Sequence, residues 1–208
     1  MSQYPGLFVT LEGGEGAGKS TAAAALAALL RAEGHEVLAT REPGGTKGAE
    51  AVRALLLTTD TPLHPLAQTM LHFAARADHV ETVLRPALAR GAVVICDRYY
   101  DSTMAYQAYG QGVPRAAVER LIELIGLPPD LSFFLELPAA TAAARLTARA
   151  GASDRYEQMG EDFTARVMAG FDDIAAREPQ RCVRVDATLP PEALAARLRD
   201  LIRARAGR

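Results

Sequence analysis

Apolar and β-branched positions gather in five short runs, at 7–12, 36–41, 92–97, 131–137 and 182–186, separated by stretches of helical composition. Those stretches fall at 19–33, 47–57, 65–90, 115–125, 138–149, 162–178 and 191–205. Strand and helix in alternation imply a parallel sheet covered on both faces, because parallel neighbours need a crossover and a helix normally supplies it. The expected class is α/β: a doubly wound, five-stranded parallel sheet flanked by helices. Pro86 lies inside the third helical stretch, where it removes a backbone donor and crowds the preceding turn, so a kink or early stop is expected there. Residues 150–160 are polar, hold two glycines and lack apolar periodicity, which reads as a flap. With no linker and no internal repeat, the expectation is one domain over 1–208 with a lid around 145–160.

Of the 208 residues 49% are hydrophobic and 23% charged, the mix of a folded chain with a core of its own. A formal net charge of -2 lacks the basic footprint for tracking a nucleic-acid backbone, so no polymeric nucleic acid is expected as partner. The apolar run at 22–30 is far shorter than the roughly 20 residues that cross a bilayer. Residues 1–6 carry no basic residue ahead of an apolar stretch, so neither membrane nor secretory signal is expected, and the chain reads as cytoplasmic. Cys96 and Cys182 have no His or Cys at ligand spacing and read as buried free thiols rather than zinc ligands.

Directly after the first run comes Gly13-Gly14-Glu15-Gly16-Ala17-Gly18-Lys19-Ser20, with Thr21 next, a GxxxxGK[ST] loop between an expected strand and an Ala-rich helix. Glycines let backbone amides turn toward phosphate oxygens, the helix N-terminus adds a partial positive charge, and Lys19 adds a full one. An anionic triphosphate is the natural guest. Ser20 offers a hydroxyl to Mg2+, and Asp97, closing the third apolar run, offers a carboxylate. Such a loop leaves open a phosphotransferase, a GTP-cycling switch and an ATPase motor or assembly factor. The chain contains no Asn, and so no Asn-Lys-x-Asp guanine reader, and no Asp-x-x-Gly, which disfavours the switch. No motor signature accompanies the loop, and a small kinase is favoured.

The segment 97–107, DRYYDSTMAYQ, resembles the thymidylate kinase family signature. Leu11-Glu12-Gly13, Arg41-Glu42-Pro43-Gly44-Gly45-Thr46, Phe73-Ala74-Ala75-Arg76 and Asp154-Arg155-Tyr156-Glu157 resemble the same family, so the likeness spans most of the chain. It implies a P-loop nucleoside monophosphate kinase fold with a lid, ATP and Mg2+ as cofactors, dTMP as acceptor and a homodimer. It further implies that Arg98 and Arg41 clamp the dTMP phosphate, with Arg53 assisting. Phe73 would lie against the thymine ring, Arg76 would bond its O4, and Ser102, Thr103 and Gln107 would line its other edges. Tyr106 would crowd the sugar 2′ position, Glu15 would accept the 3′-hydroxyl, and Glu42 would stand near magnesium and substrate.

Family members carry a catalytic arginine in the P-loop or in the lid. Positions 14–17 here hold no basic residue, which leaves Arg145, Arg149 and Arg155, with Arg149 the first choice. Catalysis would then rest on Lys19, Arg98 and Arg149. The rivals are another nucleoside monophosphate kinase and a P-loop ATPase assembly factor. His35, His64, His72 and His79 show no metal spacing and are expected to be structural or on the surface.

Overall fold

A computed structural model of the chain describes residues 4–57, 62–148, 155–156 and 158–206. Five strands, β1 (Leu7–Glu12), β2 (Val37–Arg41), β3 (Val93–Asp97), β4 (Leu131–Glu136) and β5 (Cys182–Asp186), form one sheet in the order β2-β3-β1-β4-β5. Every pairing is parallel. The central strands are apolar on both faces because both are covered. Val9, Leu11, Ile95 and Phe133 pack under α1 (Lys19–Ala32) and the C-terminal Pro191–Ala206 helix, while Phe8, Val94, Cys96 and Phe134 face the opposite layer. The register sets Leu11 beside Asp97, so the tips of β1 and β3 end level with each other. That pairing positions the site.

The other layer contains α2 (Lys47–Leu57) and α3 (Pro65–His79), which runs on through a π turn, Val80–Leu84, into α4 (Arg85–Ala89). Pro86 therefore causes no stop: it sits in the first turn of α4, where an N–H is dispensable, and the widened turn before it makes room for its ring. One helical element was not legible in the sequence. α5 (Tyr100–Thr103) continues as a π-helical stretch, Met104–Gly110, inside the DRYYDSTMAYQ segment. Its tyrosines and β-branched residue are poor helix formers, and burial overrides propensity: Tyr106 stacks edge-on against Phe163 and Phe171. Those two phenylalanines belong to α8 (Glu161–Arg177), which follows α6 (Arg115–Ile125) and α7 (Ala139–Ala148); the C-terminal helix Pro191–Ala206 is α9. No described helix is long and apolar enough to cross a membrane.

Candidate active site

The loop between β1 and α1 turns where only glycine fits: Gly13 has φ 132, and a Cβ there would meet the Leu135 carbonyl oxygen at 2.7 Å. Lys19, the first residue of α1, is buried, and its Nζ donates to the carbonyls of Gly13 (3.1 Å) and Gly14 (2.7 Å). Burial, and then Arg98, push its ammonium down to about 8. The charged form that attracts phosphate is therefore lost as pH rises through that value. ATP affinity measured by calorimetry should fall several-fold from about pH 7.5 to about pH 9; a flat profile would show that Lys19 stays charged throughout. Next to it Ser20 Oγ donates to Asp97 Oδ2 at 2.5 Å. A hydroxyl and a carboxylate at the mouth of the phosphate loop form an oxygen donor set that fits a hard divalent cation such as magnesium.

Level with this loop, at the tip of β3, is Arg98, the one described non-glycine residue with positive φ (66°). Its amide donates to Leu11 O at 3.0 Å, which fixes the backbone, so the strain is held by the sheet itself. The guanidinium donates to Gly13 O (2.9 Å), Ser102 Oγ (3.0 Å), Glu15 Oε1 (2.5 Å) and Tyr106 Oη (3.2 Å). Burial opposes its charge, but Glu15, Tyr106 and neighbouring carboxylates outweigh it and hold Arg98 above the usual arginine range. Tyr106 Oη also donates to Glu15 Oε1 at 3.0 Å, closing a three-membered polar ring at the mouth of the P-loop. Glu12 supports the group from beneath. It is fully buried and accepts from Tyr99 N (2.8 Å) and Ser102 Oγ (2.6 Å), and burial, then Asp101, push its carboxyl up to about 8.

At the far end α3 supplies Arg76, 2% exposed. Its Nε donates to Glu42 Oε2 at 2.6 Å and its Nη2 to Thr103 Oγ1 at 3.1 Å, while the plane lies 4.6 Å over Phe73 and 5.0 Å over Tyr99. The remaining nitrogen, Nη1, is buried without a partner. Such a donor is costly to leave unmet unless something else accepts from it. Both oxygens of Glu42 are engaged, the second by His79 Nδ1 at 3.0 Å, so this carboxylate serves Arg76 rather than a cation. Nearby, Arg53 Nη1 donates to Pro43 O (2.9 Å), and Arg41 pairs with Glu50 at 3.0 Å in an exposed contact.

Both ends of the site open on one cavity of about 510 Å³. Of the expected residues, Glu15, Gly16, Gly18, Lys19, Ser20, Thr21, Asp97 and Arg98 line it toward the phosphate loop. Arg41, Glu42, Arg53, Arg76, Ser102, Thr103, Tyr106 and Gln107 also line it. Gly13, Gly14 and Ala17 shape the loop from behind. Phe73 requires a correction, because it packs into the core beneath Arg76 and is not a lining residue. Residues 72 and 76, four apart, share a helix face, and the ring on the cleft wall is that of His72. Its Nε2 bonds Tyr156 Oη at 3.0 Å, Gln107 Nε2 donates to the same oxygen at 3.1 Å, and burial, with help from Arg76, pushes the imidazole down to about 3, hence neutral. Of the histidines expected to be structural or on the surface, His72 lines the cavity, while His79 is buried behind it against Glu42. Arg149 lies outside the described residues. Arg145 lines the cavity and donates to Ala187 O at 3.3 Å.

A phosphate loop between β1 and α1, a carboxylate at the tip of β3 and an arginine-lined second half of the same cleft define a P-loop nucleotide kinase. Comparison with known proteins agrees. The family model for thymidylate kinase matches residues 11–198, and the chain belongs to that family. It is 55% identical to a thymidylate kinase of Gluconobacter oxydans over 93% of this chain and 92% of the relative. To one of Caulobacter vibrioides it is 47% identical over 97% and 98%. The crystal structure of thymidylate kinase from Ehrlichia chaffeensis superposes with a TM-score of 0.78 at 31% identity, covering 95% of this chain and 98% of that one.

Proposed function

We propose that this protein transfers the γ-phosphoryl group of ATP to the 5′-phosphate of dTMP, giving ADP and dTDP. The observation that carries this reading is the unpartnered Arg76 Nη1, a buried donor on the wall of the cleft that also holds Lys19 and Arg98. A pyrimidine carbonyl such as thymine O4 would satisfy it, whereas the amino group of cytosine would present a donor to a donor.

The acceptor oxygen is already an anion near neutral pH, so no strong base is needed and the work is positioning and charge neutralisation. Arg98 and Arg41 are assigned the acceptor phosphate, with Arg53 beside them, because planar guanidinium forks match phosphate oxygens. To bind there the phosphate takes over from Glu15 on Arg98 and from Glu50 on Arg41, and the Glu15 carboxylate is assigned the sugar 3′-hydroxyl. Tyr106, ringed by aromatic neighbours, is assigned the exclusion of a 2′-hydroxyl. Ser102, Thr103 and Gln107 supply hydrogen bonds at the base edges, and His72 takes the place on the cleft wall expected for Phe73. Lys19 follows the transferring group. Magnesium, held by Ser20 and Asp97, would neutralise the terminal phosphates of the donor. Arg149 is kept as the lid arginine of choice, and Arg145, four residues earlier in the chain, lines the cleft.

A coupled assay over a panel of monophosphates tests the assignment. Turnover of dTMP should exceed that of dCMP, AMP and CMP by at least about 10²-fold in kcat/KM. Equal use of another acceptor would overturn it, and rapid ATP hydrolysis without acceptor would point to an ATPase.

A further inference from the structure

Behind the acceptor end runs a chain of hydrogen-bonded side chains whose far members, Thr40 and His79, do not line the cavity. Thr40 Oγ1, at the outer strand β2, is 2.9 Å from His79 Nε2; His79 Nδ1 is 3.0 Å from Glu42 Oε1; Glu42 Oε2 is 2.6 Å from Arg76 Nε. His79 is fully buried. A carboxylate can only accept, so Nδ1 carries a proton and donates to Glu42, while Nε2 is bonded to the Thr40 hydroxyl, and the ring is held from both sides. The ring is also clamped mechanically: Gly45, at φ +87, presses on it so closely that a Cβ there would sit 2.4 Å from His79 Nε2.

Glu42, His79 and Cys96 have ligand atoms within 4.8 Å of one another, the geometry of a possible metal cluster. The hydrogen bonds argue otherwise. Both ring nitrogens of His79 and both oxygens of Glu42 are already engaged by protein partners at hydrogen-bond length.

We infer that His79 is a positioning residue for base selection: it aligns Glu42, which in turn orients Arg76 so that Nη1 faces the base. The inference rests on the reading of the acceptor end given above and extends it to a residue two steps removed from substrate. A guanidinium gripped at Nε by a carboxylate can still swing about that contact. Fixing the carboxylate by its second oxygen, together with Thr103 on Nη2, removes that freedom.

Asparagine can place an N–H near the position of Nδ1, whereas glutamine reaches toward Nε2 and abandons Glu42, so the two substitutions separate the contact from the bulk. The test compares kcat/KM for dTMP with that for the analogue carrying hydrogen in place of O4. His79→Gln should lower this ratio about ten-fold and His79→Asn should hold it within about two-fold, with KM for ATP unchanged in both. Thr40→Val, nearly isosteric, should lower it by about two- to three-fold, and carries the test alone if His79→Gln does not fold. A ratio unaltered in His79→Gln, or in Thr40→Val where that variant stands alone, overturns the inference, because a purely structural defect would damage both substrates equally. If the wild-type protein does not distinguish the two substrates, the acceptor reading fails instead. In that case the ¹⁵N–¹H resonance of Arg76 Nε decides: shifted or broadened in the deciding variant it sustains the positioning role, and unmoved it ends it.

Discussion

Replacing Arg98 with lysine should lower kcat for dTMP phosphorylation by about 10²- to 10³-fold while leaving ATP binding nearly unchanged. The charge is kept, so the loss measures geometry. Arg98 reaches Gly13, Glu15, Ser102 and Tyr106 at once, and a single ammonium on a flexible stem cannot reproduce that fork. Lysine bears the same backbone strain at φ 66 as arginine, so the substitution leaves the β3 tip as it is. Steady-state kinetics with both substrates varied will show it. A kcat within about five-fold of wild type would remove Arg98 from the transferring group and leave it a binding residue only.

The second large effect is on stability. Arg76→Met leaves Glu42 buried beside His79 with its strongest partner gone, and breaking a buried ion pair in this way costs about 3–5 kcal/mol. At about 2–4 °C per kcal/mol for a chain of this size, the melting temperature should fall by at least about 6 °C. Adding Glu42→Leu to Arg76→Met should recover much of that stability without recovering activity, because two apolar groups of similar volume leave no orphaned charge. Calorimetry on the single and double variants separates folding from recognition. A single variant melting within about 2 °C of wild type would show that Glu42 finds another partner.

The sheet was legible in the sequence because each parallel strand is a short apolar run, and the phosphate loop because its cradle is contiguous. The acceptor end was legible only as a resemblance. Ser102, Thr103, Tyr106 and Gln107 stand on a helical stretch that local propensity argues against, and its π turns let adjacent residues share the cleft wall. Phe73 and His72 are neighbours on one helix, and no periodicity separates the residue facing the core from the one facing the cavity at a buried position. Glu12 and His79 act through partners dozens of residues away, with no spacing to betray them. Their signal was chemical: a carboxylate and an imidazole in apolar surroundings require company.

The level tips of β1 and β3 also divide the labour of the cleft. The phosphate loop and the Ser20–Asp97 pair hang from two adjacent strands, whose pairing from Leu7 with Val93 to Leu11 with Asp97 makes them a stiff frame. What reads the acceptor base comes instead from α3 and from the stretch after β3. A lineage could therefore retool the end that chooses its customer while the power stroke stayed untouched, and divergence toward new acceptors should accumulate on those helices and spare the frame.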